Sequence, residues 1–203
     1  MTTIDIFNRA LDLCGTTNAV AITDATKEAR ICLRNYELCR KFILRSHPWN
    51  FAIKRVLLVT PDATPPPFDF TNRYPLPSDY LRATNVWSDV QRPWSEDDWR
   101  IEQGFILSDD SQIQLSYVYD VTDFNLWDPC AFDAMSHYLA WIICYSITQS
   151  QSQKDQLFKD LDKILKKAKQ MDSIEDPKKD LDIDVWMRSR VGPSQGFVRD
   201  PMT

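Results

Sequence analysis

The sequence has 203 residues, enough for one domain of ordinary size that buries about 70% of its unfolded surface. Hydrophobic residues make up 43% and charged residues 26%, so the core needs no disulfide or metal ion for stability. The formal net charge of -5 argues against a broad basic surface that would grip DNA. The N-terminus shows no signal-peptide pattern, which predicts a chain that stays in the cytosol where it is made.

Two amphipathic helices are predicted in the first 48 residues. The first runs from Thr3 to Cys14, and Gly15 is its C-terminal stop. Asp24 is predicted to cap a longer second helix that ends near Ser46, because residues that precede a proline disfavour helical geometry. Its apolar stripe steps by four and three residues through Ala25, Ala29, Cys32, Tyr36, Cys39 and Ile43.

The period of the hydrophobic pattern changes from helix-like to strand-like near Trp49. A strand is predicted from Trp49 to Thr60, and shorter extended pieces at residues 74–77 and 80–87. Two clearer alternating strands follow, and we expect them to form one hairpin with a single buried face across Ser108–Ser111. Their alternating residues are Trp99, Ile101, Gln103, Phe105 and Leu107, and then Ile113, Leu115, Tyr117, Tyr119 and Val121.

Helical signals return at Asp128, which is predicted to cap a helix that starts with Pro129. Residues 131–147 are apolar on almost all sides, which predicts a helix that is covered on most sides; the stretch is short and polar for a membrane span. Ser152 and Asp155 form a capping-box pattern for a last helix. That helix has the stripe Leu157, Leu161, Ile164, Ala168 and Met171 and ends before Pro177.

These elements predict an α+β fold in which helices from both chain ends form a bundle around an inserted β-rich module. The predicted segments are N-terminal helices at residues 1–48, the β-rich module at 49–124 and C-terminal helices at 125–177. From residue 178 the helical period is lost, and residues 178–203 are predicted to form an extended C-terminal arm.

The sequence offers little for catalysis or for metal binding. Cys130, His137 and Cys144 recur every seven residues, about 10.5 Å apart along a helix, which is too far to share one ion. Cys130 near a helix N-terminus is a candidate for a lowered pKa but has no base within reach on that helix. We therefore predict no catalytic, cofactor-binding or metal-binding residue. The five cysteines are odd in number and lack a CxxC pair, which predicts reduced, buried thiols.

Three stretches together resemble one known family. The first runs from Leu13–Cys14–Gly15 to Leu44–Arg45–Ser46–His47–Pro48–Trp49–Asn50–Phe51. The second contains Tyr74–Pro75–Leu76–Pro77–Ser78–Asp79–Tyr80, followed by residues 99–103 and 115–118. The third contains Trp127–Asp128–Pro129–Cys130, Tyr138–Leu139–Ala140 and Ile147–Thr148–Gln149–Ser150. In order and spacing they resemble the head-to-tail adaptor of short-tailed bacteriophages, the tail tubular protein A family, from about Thr3 to Arg190.

This resemblance implies a structural virion protein of the tail or neck, assembled in the host cytoplasm. Twelve copies would form a ring between the portal protein and the tail nozzle protein. DNA would pass through the channel without specific binding, and no membrane or cofactor would take part. Residues 191–203 have no counterpart in the resemblance.

The C-terminal arm is the predicted portal-binding element. Leu181, Ile183 and Val185 alternate with acids, and the interface is predicted from the Trp- and Arg-rich residues that follow. These interface residues are Trp186, Met187, Arg188, Arg190 and Phe197. In a competing interpretation, Trp186 folds back onto the helices of its own subunit.

Two other functions compete with the adaptor. One is a virion-associated peptidoglycan hydrolase, for which Glu102, Asp109 and Asp110 are the candidate carboxylates. The other is a regulator that binds nucleic acid, which the acidic net charge disfavours.

Overall fold

The computed structural model describes residues 1–88 and 98–175, and within them the chain has four α-helices and two three-stranded antiparallel sheets. The predicted mixed α+β class is therefore confirmed. The helices are α1 (Thr3–Cys14), α2 (Lys27–Ser46), α3 (Pro129–Thr148) and α4 (Gln151–Glu175). The strands are β1 (Ile53–Leu58), β2 (Asn72–Pro75), β3 (Tyr80–Ser88), β4 (Trp99–Glu102), β5 (Phe105–Ser108) and β6 (Ile113–Tyr119).

Helix α1 has the predicted bounds. Its N-terminus is closed by a capping box between Thr2 and Asp5, and Gly15 ends it in the left-handed region with a φ of 68°. The predicted stripe is buried, with Ile6, Phe7 and Ala10 fully covered. Helical periodicity together with a glycine stop was therefore sufficient to place this element.

Helix α2 begins later than predicted. Thr26, not Asp24, is the N-cap residue, and its side chain accepts a hydrogen bond from the backbone N–H of Ala29. The carboxylate of Asp24 instead accepts from the backbone N–H groups of Val20 and Ala21, which fixes the preceding turn. Ala25 therefore lies before the helix and is exposed, whereas the rest of the predicted stripe is buried.

The two C-terminal helices begin near the predicted positions. Asp128 caps α3 by accepting from the N–H groups of Cys130 and Ala131, as predicted. The capping box predicted at Ser152 is wrong, because Ser152 lies inside α4 and Ser150 accepts from the N–H of Gln153. The last predicted stripe residue of α4, Met171, is 46% exposed, and Asp172 is buried in its place.

All four helices contribute to one hydrophobic core. Helix α3 packs against α1, α2 and α4, which explains why it is apolar on several sides. Polar contacts also connect the N-terminal part of the chain with the two C-terminal helices. Arg9 of α1 donates to Asp133 of α3, and the buried Asp172 of α4 accepts from the backbone N–H of Asn50 just after α2. Helices from the two ends of the chain are therefore in direct contact.

The hairpin predicted between residues 99–107 and 113–121 is wrong. Strand β4 pairs with β5 across Gln103–Gly104, in a sheet of order β2-β5-β4, whereas β6 lies between β1 and β3 in the other sheet. The alternation of apolar and polar residues continues through Gln103–Gly104, so the sequence pattern gave no sign of the turn there. A two-residue turn places Ile101 opposite Ile106, so even-numbered residues of β5 share the face of odd-numbered residues of β4. Ile106 and not Phe105 is therefore fully buried with Tyr74.

We expect Gly104→Ala to lower the free energy of unfolding by about 1 to 2 kcal/mol, because an L-residue is strained in left-handed geometry. Both turn residues have positive φ, 49° at Gln103 and 83° at Gly104, as in a type I′ turn. An added Cβ would meet no atom within 4 Å, so the loss would report backbone strain alone.

Gln103→Asn is the control, since asparagine tolerates positive φ. Urea unfolding should show the control at least as stable as the original protein. Equal losses in both variants would contradict the assignment of strain to Gly104.

The predicted arm at residues 178–203 lies outside the described residues, as do the interface residues Trp186, Met187, Arg188, Arg190 and Phe197.

Candidate protein interface

Four aromatic side chains form a row across three helices: Phe42 of α2, Tyr138 and Trp141 of α3, and Phe158 of α4. Phe42 stacks on Tyr138 with ring centroids 4.5 Å apart and planes 5° from parallel. Tyr138 lies 5.7 Å from Trp141, and Trp141 lies 5.5 Å from Phe158. We call this set the aromatic row.

The row exists because of residue spacing on α3. Tyr138, Trp141, Ile142 and Tyr145 follow the i, i+3, i+4, i+7 pattern of one helix face. The rest of α3 faces the core, with Met135, Leu139 and Ile143 fully buried. Helix α3 therefore has a second apolar face, which the described residues leave partly open to solvent.

The row and its neighbours expose a large apolar surface. Phe42 is 51% exposed and Phe158 is 53% exposed. One turn away on the same helices, Leu38 is 68% and Tyr145 is 51% exposed. Contiguous apolar surface of this kind is typical of a protein-binding site, because single scattered residues are the norm elsewhere.

Charged side chains lie on the same helices as the row. The ammonium group of Lys154 lies 5.6 Å from the centroid of the Trp141 ring. Burial raises the pKa of the Tyr138 phenol, and the nearby Cys39 raises it further, so Tyr138 stays neutral. Lys41 and Arg45 are exposed on α2. An apolar centre with a charged rim is the usual anatomy of a protein interface.

No family model matches this chain, and no curated protein matches it either.

The predicted stripes of α2 and α4 are not themselves the exposed surface. Cys32, Cys39 and Ile43 of α2 and Leu157 of α4 belong to the core of the chain's own fold. The exposed apolar residues lie beside these stripes. In α2, Leu38 and Phe42 are four residues apart and therefore lie on one helix face beside the buried stripe. This spacing indicated a second apolar face, which the sequence analysis did not predict.

The five cysteines are free, and four of them are buried, as predicted. Burial raises the pKa of the Cys14, Cys32 and Cys39 thiols to about 12, so they stay protonated at neutral pH. The lowered pKa considered for Cys130 is wrong. Burial and the carboxylate of Asp128 raise the pKa of this thiol. None of these four thiols has the low pKa of an activated nucleophile.

The described residues contain no group of three or more His, Cys, Asp or Glu side chains that could hold a metal ion. His137 is buried, and its Nδ1 lies 2.9 Å from the backbone carbonyl oxygen of Asp133. Within residues 1–88 and 98–175, no helix has both the length and the apolar character for crossing a bilayer.

Two of the candidate hydrolase carboxylates, Glu102 and Asp109, lie far apart. Glu102 pairs with Phe105 at the turn end of the β4–β5 hairpin, whereas Asp109 follows Ser108 at the other end. Four residues of extended chain place them about 13 Å apart along the strand, beyond the separation that glycosidases use. Asp109 Oδ1 also accepts from the N–H and hydroxyl of Thr71, which gives this carboxylate a structural role.

The β-rich part has a separate cleft of about 390 Å³. Its lining combines apolar residues, among them Pro67, Phe68 and Phe105, with charged ones, among them Arg73 and Glu102. Phe68 is 74% exposed, and the guanidinium of Arg73 lies 4.5 Å from the centroid of the Phe105 ring. This cleft is a second surface suited to contact with another protein.

Proposed function

We propose that this chain is a head-to-tail adaptor of a short-tailed bacteriophage. In this proposal, twelve copies form a ring between the portal protein and the tail nozzle protein, and DNA passes through the centre. The three sequence stretches that resemble the adaptor family support this role. The acidic net charge also fits a channel along which DNA slides without binding.

The aromatic row is the observation that carries the proposal. It presents Phe42 and Phe158 on the outside of long, rigid helices, where each is more than half exposed. Aromatic residues on such surfaces are the usual anchors of protein interfaces. In a closed ring, one surface of each copy contacts a different surface of the next copy. The row, from α2, α3 and α4, supplies one of these two surfaces.

The arrangement of segments is part of the proposal. The helices of both chain ends form the body of the subunit, the β-rich module is inserted between them, and residues 178–203 form the arm that binds the portal. The contact of α3 with α1 and α2 supports the two-ended body. The cleft beside Phe68 offers a separate site for a second partner, such as the nozzle.

Mixing the protein with the portal of the same phage tests the ring directly. Multi-angle light scattering should detect a high-order complex, and negative-stain images should show a ring of twelve subunits on the portal. A protein that stays monomeric and apart from the portal in all conditions would contradict the proposal.

We expect a chain that ends at Asp180 to lose portal binding while it keeps its helix content, because the described helices end at Glu175. Trp186→Ala in the full chain should weaken docking by about 1 to 2 kcal/mol, the range of an interface anchor. Titration of portal with each variant measures the loss. Unimpaired binding by the shortened chain would move the portal interface onto the helical body.

The hydrolase alternative has its own assay. Peptidoglycan turnover that disappears in Glu102→Gln would favour it over the adaptor. The separation of Glu102 and Asp109 along the hairpin gives no support to that pair.

A further inference from the structure

The sheet β1-β6-β3 has two faces of different character. Val56 of β1 pairs with Leu115 of β6, and both belong to the apolar cluster that covers one face. Side chains of a strand alternate between the two faces, so Arg55 and its partner Ser116 lie on the other face. A cleft of about 630 Å³, lined by both of these residues, opens there.

The cleft is cationic. Arg55 of β1 and Arg82 of β3 line it from the two sides of the central strand β6, so their backbones are about 10 Å apart across the sheet. Within residues 1–88 and 98–175, no carboxylate lines the cleft, and neither arginine forms an ion pair. Two positive charges therefore face solvent without a neutralising partner.

The guanidinium of Arg82 is held in place, and a third cation lies near it. Arg82 Nη1 donates to the backbone carbonyl of Arg45 at 2.9 Å, which uses one of its five N–H groups. Burial raises the pKa of the Tyr80 phenol, whereas the charges of Arg45 and Arg82 lower it, so both guanidinium groups lie near this ring. Arg45 is exposed at the end of α2.

One carboxylate bonds to a lining residue but lies outside the cleft. Asp172 accepts from the backbone N–H of Asn50 at 3.0 Å, and its other carboxylate oxygen lies 2.9 Å from His47 Nε2. Asp172 is only 6% exposed. An anion in the cleft therefore meets the arginines and not this carboxylate.

A register shift in β3 adds neutral polar groups to the cleft. Ala83 pairs with Tyr117 and Asn85 pairs with Ser116, so Thr84 is an additional residue between them. Thr84 and Asn85 both line the cleft. Thr84 Oγ1 donates to Ser116 Oγ at 3.0 Å, whereas Asn85 is exposed. The Asn85 amide is therefore a neutral donor beside the two arginines.

The chemistry of the lining indicates a DNA backbone as the ligand. Arginine, serine, threonine and asparagine are among the side chains that contact phosphate oxygens in protein–DNA complexes. The volume of the cleft exceeds the need of a single ion, and the regular phosphates of a duplex place a charge near each arginine. Among the described residues, no aromatic side chain lines it, so unpaired bases would have nothing to stack on.

We propose that this cleft binds the phosphate backbone of duplex DNA, weakly and without sequence preference. Arg55 and Arg82 contact phosphates, and the Asn85 amide donates to a phosphate oxygen. The inference concerns the isolated chain and does not need the proposed function. In an adaptor ring, contacts as weak as these would still let DNA slide.

Titration of the isotope-labelled full-length protein with a short duplex, followed by nuclear magnetic resonance, tests the site. Amide signals of residues 55, 82–85 and 116 should shift, equally for two unrelated sequences. Log affinity should fall with log salt concentration with a slope of about −2, because each neutralised phosphate contributes about −0.9. Site-resolved signals separate the cleft from other surfaces. Unshifted cleft signals at low salt would overturn the proposal.

Variants separate charge from shape. Arg55→Ala should weaken binding about threefold to fivefold and reduce the size of the salt slope by about 1, whereas Arg55→Lys should keep the slope. Asn85→Ala should weaken binding without changing the slope, because it removes a neutral donor. Arg34→Ala, an exposed change on α2, is the control and should leave both quantities unchanged. An unchanged slope in Arg55→Ala would overturn the proposal.

Three other probes distinguish the class of ligand. Inorganic phosphate, hexaglutamate and a single-stranded oligonucleotide should each bind the cleft more weakly than the duplex. Tighter binding of inorganic phosphate would overturn the proposal in favour of a free anion, and tighter binding of hexaglutamate in favour of an acidic protein segment. Tighter binding of the single strand would overturn the assignment to duplex DNA. Ring formation on the portal without any duplex-induced shift in the cleft would overturn this inference alone and leave the adaptor function in place.

Discussion

Asp120→Ala is expected to lower the free energy of unfolding by about 3 to 5 kcal/mol, the range for breaking a buried ion pair. Asp120 accepts two hydrogen bonds from Arg40 of α2, at 2.9 Å from Nε and 2.8 Å from Nη2. The side chain of Arg40 is 7% exposed. The substitution would therefore leave a buried guanidinium without its carboxylate.

The ion pair joins the helices to the sheet, since Asp120 directly follows β6. Burial lowers the pKa of Arg40, but its hydrogen bonds to Asp120 and Tyr36 outweigh this and raise the pKa above the ordinary value. Arg40 thus stays charged. Its attraction to the Asp120 carboxylate is strong because few water molecules can reach Arg40.

Arg9→Ala is the matched control. Arg9 also donates through Nε and Nη2 to an aspartate, Asp133, but its side chain is 53% exposed. We expect a loss of at most about 1 kcal/mol from this exposed pair. Urea unfolding of both variants measures the difference. The double variant Arg40→Met with Asp120→Ala should lose less free energy of unfolding than Asp120→Ala alone, because it leaves no unpaired buried charge. Equal losses in Arg9→Ala and Asp120→Ala would contradict the structural argument.

Phe42→Asp combined with Phe158→Asp is expected to abolish ring assembly and leave the fold intact. Both side chains are more than half exposed, so the subunit loses little packing. At a ring contact, each introduced carboxylate would be buried without a partner. Loss of an aromatic hot-spot anchor costs about 2 kcal/mol or more. Every contact around the ring would carry this penalty.

Light scattering of the variant with portal measures assembly, and circular dichroism verifies the helices. Phe68→Asp is the control, because Phe68 is 74% exposed but lies on the β-rich part, away from the aromatic row. The control should still form rings. Rings formed by the Phe42 and Phe158 double variant would show that the row is not the subunit contact.

Local sequence signals placed several elements correctly. Gly15 ends α1 because glycine adopts positive φ without strain, and Asp128 with Pro129 begins α3 because both suit the first helical positions. Thr26 and not Asp24 caps α2, because the carboxylate of Asp24 accepts hydrogen bonds from the turn at residues 20–21. Both residues are suitable N-caps by type, so the sequence alone does not tell which of them begins the helix.

The strand pairing could not be predicted from alternation. The run from Trp99 to Leu107 keeps its period of two through Gln103–Gly104, and the turn at those residues reverses which side chains face the core. The partners of β6 are β1 and β3, which are separated from it by at least 24 residues. Pairing over that distance depends on packing between strands, which no local pattern records.

The sequence by itself determined the α+β class, the bounds of α1, the start of α3 and the absence of disulfides among the five cysteines. Each depends on residues close together in the chain, whose backbone preferences and burial are local properties. Tertiary structure decided the two sheets, the Arg40–Asp120 ion pair and the aromatic row. The row joins residue 42 to residues 138, 141 and 158, so it forms only when the three helices pack together. Helix periodicity alone does not tell which apolar face of α3 contacts the core and which is exposed to solvent.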